Sequence, residues 1–144
     1  MGRFDAALIK MRSSYKEMVE ASTSTLWESF SDEASLCHVF SAGPVFQLVE
    51  KVLGVVPLSA GVSEVCIDIR TAGLTWAKGR LPTPFGIISI SWELNEGRLE
   101  LDVKAPDEIK IQVKIPQGFD CHEISNGKHC FWQSTQKNLL EKTP

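Results

Sequence analysis

Apolar residues recur at every second position along most of the stretch from Val65 to Ile115. Val65, Ile67 and Ile69 alternate with Cys66, Asp68 and Arg70, and Leu74 and Trp76 with Thr75 and Ala77. Ile88, Ile90, Trp92 and Leu94 alternate with Ser89, Ser91 and Glu93, and Leu99, Leu101 and Val103 with Glu100, Asp102 and Lys104. Ile109, Ile111, Val113 and Ile115 complete the set, interleaved with Lys110, Gln112 and Lys114. A period of two puts successive side chains on opposite faces of an extended chain, so each segment predicts a strand with one apolar and one wet face. Turn residues such as Thr83-Pro84 and Asn95-Glu96-Gly97 separate them. Asn126-Gly127 adds a two-residue hairpin signal with a strand on either side. Short strands of this kind predict an antiparallel β-sandwich or Greek-key sheet. By the same parity, Trp76 and Trp92 are expected in its core, and Trp132 is left open.

The first third of the chain has a different period. Phe4, Leu8, Met11, Tyr15 and Met18 step by helical spacings, with Ala7 and Val19 widening the stripe. The pattern stops at "EASTST", a run of poor helix formers. A second helix is predicted from Ser41 as N-cap, with Pro44 in the first turn, a run from Val45 to Leu53 apolar on more than one side, and Gly54 as the stop. The fold class is therefore α+β: two N-terminal helices over residues 1–54, a sandwich over 55–135 and a tail over 136–144. Two helices cannot bury the apolar faces described. They either dock on the sandwich or belong to a larger helical body, with self-association through the exposed faces as a third outcome.

The chain has 144 residues, 43% of them hydrophobic and 23% charged, with a net charge of −3, and it lacks the concentrated positive charge that phosphate contacts require. No nucleic-acid partner is expected. No apolar run is long enough to span a membrane, and "MGRFDAALIK" is not patterned as a secretory leader, so a cytoplasmic location is expected. In the register set by Asn126-Gly127, Cys121 faces Trp132 and Glu123 faces Cys130. The two sulfurs are then diagonal neighbours with Cα atoms roughly 7–8 Å apart, beyond comfortable disulfide reach. The same register puts His122 and His129 on one face of "CHEISNGKHC" and the cysteines on the other, so one tetrahedral ion cannot take all four. No metal or cofactor is expected, and all four cysteines are read as thiols.

The segments "STLWE", "SLCHVFSAGP", "VLGVVPLSAG", "LTWAKGRLPTPFGIISISWE" and "LELDVKAP" occur in this order. Together, over about residues 4–116, they resemble the C-terminal end of bacterial α-L-rhamnosidases of glycoside hydrolase family 78. The resemblance implies that residues 1–54 are the last helices of an (α/α)6 barrel, whose missing portion would be their partner, and that the sandwich follows it. It also implies inverting hydrolysis of terminal rhamnose. That chemistry needs one carboxylic acid to protonate the leaving oxygen and one carboxylate to activate water, roughly 6.5–9.5 Å apart. The family's base follows a Trp in a T-x-W-E segment, which maps onto Glu28; Asp32 and Glu33 are nearby alternatives that read as a charged loop or helix start. The sugar-facing aromatic maps onto Trp27 and the sugar-contacting histidine onto His38. Family members commonly have Gly-Trp after that histidine, where this chain has Val39-Phe40. The family's general acid lies upstream and has no counterpart here, so the isolated chain is expected to be inactive. The competing expectation is a carbohydrate-binding or structural sandwich module.

Overall fold

The computed structural model describes residues 3–125 and 128–133. The Asn126-Gly127 turn and the tail over 136–144 lie outside them. The described chain divides into two units, one up to Leu48 and one from Val49 onward.

The first unit opens with α1 (Arg3–Ser14) and α2 (Lys16–Glu20). One helix was expected here; the observed pair is interrupted at Tyr15, whose backbone sits at φ −96°, ψ 3°. The Tyr15 and Val19 amides still bond four residues back, at 3.0 and 3.1 Å, so the interruption is a local bend. Leu8 and Met18 are buried, and Phe4, Met11 and Tyr15 are half-buried, as the stripe requires. Ala7 and Val19 do not widen it, since both are exposed. Ala21 turns extended and ends α2 at the expected place. After an irregular segment, a 3-10 turn (Val39–Ala42) leads into α3 (Gly43–Lys51), with Pro44 in its first turn. Ser41 is therefore not the N-cap. It sits within the 3-10 turn, and its hydroxyl donates to the Trp27 carbonyl. No residue of α3 is buried, and Val45, Phe46 and Leu48 are exposed. The expected burial of this helix on several faces is not met among the described residues.

The second unit is a two-sheet sandwich. One sheet has β1 (Val55–Pro57), β2 (Glu64–Ile67) and β6 (Lys110–Val113), in the order β1-β2-β6. The other has β3 (Trp76–Thr83), β4 (Gly86–Asn95), β5 (Arg98–Lys104), β7 (Phe119–Ser125) and β8 (Lys128–Gln133), in the order β3-β4-β5-β8-β7. All pairs of the larger sheet are antiparallel. In the smaller sheet β1 and β2 are antiparallel, but β2 and β6 run parallel, with Val65 opposite Ile111. A parallel pair needs a long crossover, and here β3, β4 and β5 of the other sheet supply it. The predicted register of the last hairpin holds: Cys121 is opposite Trp132 and Glu123 opposite Cys130, with an irregularity between Phe119 and Cys121.

Ile88, Ile90 and Trp92 on β4, Leu99 and Leu101 on β5 and Phe131 on β8 form the buried face of the larger sheet. Val55, Val65, Ile67 and Ile69 are buried on the side of the smaller one. Two parity expectations are corrected. Cys66 was placed on a wet face but is only 3% exposed, because β2 is the central strand of its sheet and is covered on both sides. Trp76 was placed in the core but is 66% exposed. Leu74 lies in a turn closed by its own amide to Thr71, so it does not set the phase of β3. The phase follows instead from Ala77 opposite Trp92, which turns Ala77 inward and Trp76 outward. Among the described residues, no helix is long and apolar enough to cross a membrane.

The parallel pair is clipped at its edge. Lys110 Nζ lies 2.8 Å and Gln112 Nε2 2.7 Å from Glu64 Oε1. These donors favour the ionised carboxylate and hold Glu64 below its ordinary range. A carboxyl depressed in the folded state adds stability above its unfolded-state pKa, and that contribution is lost as pH falls through the folded value. Lys110→Met is expected to move the Glu64 titration midpoint upward, toward the ordinary carboxylate value, as read by carboxyl NMR. An unmoved midpoint would show that the pair is not formed in solution.

Candidate functional site

The irregular segment between α2 and the 3-10 turn folds back on itself. The Glu28 amide donates to the Ser35 carbonyl at 2.8 Å, and the His38 amide donates to the Leu26 carbonyl at 2.7 Å. The Thr25 hydroxyl donates to the Leu36 carbonyl. Thr25–Glu28 and Ser35–His38 thus lie side by side, joined by the loop over 29–34. Serines and threonines suit such a fold, because their hydroxyls bond nearby backbone in place of a regular ladder. Ser29 and Ser31 do this within the loop, and Ser35 bonds the Cys37 carbonyl at 3.2 Å.

Trp27 is the anchor of this arrangement. It is 5% exposed, and its indole N–H donates to Thr23 Oγ1 at 3.2 Å. Its amide points at Met18 Sδ at 3.5 Å, and its carbonyl accepts the Ser41 hydroxyl. The neighbouring Glu28 is exposed. One carboxylate oxygen, Oε2, accepts a long bond of 3.4 Å from the Ser35 amide, and the other has no partner among the described residues. His38 is half-buried, with its ring 5.7 Å from that of Phe40. Its Nδ1 is buried and has no hydrogen-bond partner among the described residues. A buried polar atom of this kind is rare in a satisfied fold and marks a place where a partner is due. Beyond it, Val39 and Phe40 stand out into solvent, Phe40 at 88% exposure. Tyr15 closes the rear, with its hydroxyl 3.3 Å from the Ser41 carbonyl and its ring edge-on to Phe30 at 5.2 Å.

The structure therefore brings the backbones of Trp27 and Glu28 beside that of His38, and it leaves Asp32 and Glu33 exposed in the connecting loop. The indole of Trp27 faces inward, with its N–H on Thr23. The supporting hydroxyls of Thr23, Thr25 and Ser41 were not singled out from the sequence as part of a site. The clue to them was the density of Ser and Thr around the Trp-Glu pair.

Comparison with known proteins follows the same lines. An alpha-L-rhamnosidase of Formosa agariphila is 28% identical over 142 residues, covering 85% of this chain and 15% of that protein. One from an Alteromonas species is 30% identical over 113 residues, covering 72% of this chain and 12% of that protein. The crystal structure of a GH78 family rhamnosidase of Bacillus sp. GL1 superposes with a TM-score of 0.70 at 32% identity, over 81% of this chain and 13% of that one. The chain thus spans about one seventh of the length of these proteins. Residues 54–129 match the family described as bacterial alpha-L-rhamnosidase C-terminal domain, and the chain belongs to that family.

Proposed function

We propose that this chain carries the water-activating half of an inverting α-L-rhamnosidase site, with Glu28 as the general base. The observation that supports it most is the paired backbone of Thr25–Glu28 and Ser35–His38, which presents an exposed carboxylate on a segment held from behind. Glu28 would take a proton from the water that attacks the anomeric carbon, while a separate acid protonates the departing oxygen. His38 would orient a ring hydroxyl, and a bound sugar or an adjoining element would satisfy its buried Nδ1. Trp27 acts as a positioning residue. The acid has no counterpart in the family-like segments of this chain, so the chain alone does not turn over. The exposed Val39, Phe40, Val45, Phe46 and Leu48 support the same view, since apolar side chains gathered on one segment mark a surface that buries against a partner. The missing barrel portion of the family is the partner this reading names.

The test is hydrolysis of an aryl α-L-rhamnoside by the 144-residue chain, with and without a barrel segment from a relative that supplies the acid. No release is expected from the chain alone, and turnover is expected from the mixture. Glu28→Gln should lower that turnover by at least about 10²-fold, the usual scale for a lost general base. Turnover by the chain alone that survives Glu28→Gln would overturn the assignment.

A further inference from the structure

We infer that the outer face of the larger sheet is a binding site for a neutral glycan, with Trp76 as its stacking platform. This proposal does not rest on the role given to Glu28. Directly opposite residues of an antiparallel ladder share a face, so the register lines up two rows across the sheet. Trp76 is opposite Glu93, and Glu93 is opposite Glu100. One pleat along, Lys78 is opposite Ser91, and Ser91 is opposite Asp102. These residues and Lys128 line an open groove of about 280 Å³.

Its lining is unlike a plain wet face. Trp76, 66% exposed, stands on β3, an edge strand, so its ring can be approached from the sheet surface and from the side. Single exposed apolar residues are ordinary, but a tryptophan at the mouth of a polar groove is not explained by packing. Asn95 Nδ2 holds Glu93 Oε1 at 2.8 Å, and Glu100 is held by Arg98 at 3.1 Å and Lys128 at 3.5 Å, so these carboxylates are fixed in place. Among the described residues, the side chains of Lys78 and Asp102 make no hydrogen bond or ion pair, although their backbones belong to the sheet ladder. They share one face across the intervening β4, on either side of Ser91, a donor and an acceptor set for a ligand.

The chemistry of the occupant follows. Two lysines stand against three carboxylates in the lining, a formal difference of one negative charge. That near-balance selects neither a polyanion nor a polycation. Five charged side chains around the lining do not suit a purely apolar ligand, while the indole of Trp76 adds apolar surface beside them. A pyranose offers what the groove matches: a C–H face to lie on an indole and a rim of hydroxyls that both donate and accept. The volume is just below that of enclosed ligand sites, which run from roughly 300 to 1,000 Å³, and suits a single sugar ring with its neighbours running out along the open face.

The full chain also provides its own reporter. Trp27 and Trp92 are buried and Trp132 is half-buried, so acrylamide quenching of tryptophan emission samples Trp76 above the others. Methyl α-L-rhamnopyranoside, methyl β-D-glucopyranoside and methyl β-D-galactopyranoside are titrated in turn, with calorimetry alongside. Saturable protection from quenching by at least one of them is expected. Trp76→Ala should weaken calorimetric binding by about tenfold or more, the effect of losing a contact worth 1.4 kcal/mol. Trp76→Tyr should restore most of it, Asp102→Ala should weaken it, and Phe85→Ala, at the far hairpin tip, should leave it unchanged. Absence of saturation with all three glycosides overturns the proposal. So does binding that is undiminished in Trp76→Ala, or binding confined to acidic polysaccharides and abolished by salt.

Discussion

Trp92→Ala is expected to destabilise the sandwich by about 3–5 kcal/mol, a large share of the 5–15 kcal/mol typical of a whole domain. The side chain is 2% exposed and sits on β4, between Ala77 on β3 and Leu101 on β5. Its truncation opens a void in the middle of the buried face that neighbouring strands, held by their ladders, cannot close. The indole N–H also donates to the Val52 carbonyl at 2.9 Å, tying the approach to β1 to the larger sheet. Trp92→Phe keeps most of the packing and leaves that buried carbonyl unpaired, which places its loss at about 1–3 kcal/mol. Urea unfolding followed by far-ultraviolet circular dichroism separates the two terms. A midpoint for Trp92→Ala equal to that of the parent would show that the face is not packed as described.

Gly54→Ala is the second large effect, and its cause is backbone geometry. Gly54 has φ +78°, a left-handed conformation that disfavours a side chain by about 1–2 kcal/mol. An added Cβ would also stand 2.8 Å from the Asp68 carbonyl oxygen and 2.9 Å from its carbon. Those atoms are backbone, and the Asp68 amide is bonded to the Gly54 carbonyl at 2.8 Å, so neither strand can withdraw. A total loss of about 2–4 kcal/mol is expected, within the range of strain at special backbone positions. Gly79→Ala provides the contrast. Its Cβ would come within 2.3 Å of Leu53 Cδ1, a closer clash but one with the end of a flexible side chain. The smaller loss expected there distinguishes strain from crowding in the same unfolding experiment. Equal losses at the two positions would contradict that distinction.

The candidate site was legible through its motifs and not through any period. "STLWE" and "SLCH" carry the resemblance, and the structure lays their backbones side by side through the Glu28–Ser35 and His38–Leu26 bonds. No alternation or helical stripe marks that pairing, because it is made by irregular backbone and hydroxyl side chains. The inward turn of the Trp27 indole was equally hidden, since it depends on Met18 and Thr23 arriving from the end of α2 and the segment after it.

Local sequence by itself determined where the chain changes from helix to strand, which parity of β4 and β5 is apolar and the register of the last hairpin, whereas α3 ends at Lys51, before the Gly54 stop that the pattern predicts. Each feature so determined depends on near neighbours along the chain: side-chain alternation, turn chemistry and the conformational freedom of glycine. The tertiary structure alone decided that β2 and β6 run parallel, that Cys66 is covered on a face read as wet, and that Trp76 stands in solvent. A strand pattern reports that two faces differ. Whether either face is covered, and which residue sets the phase at a strand end, depends on partners that arrive from distant parts of the chain.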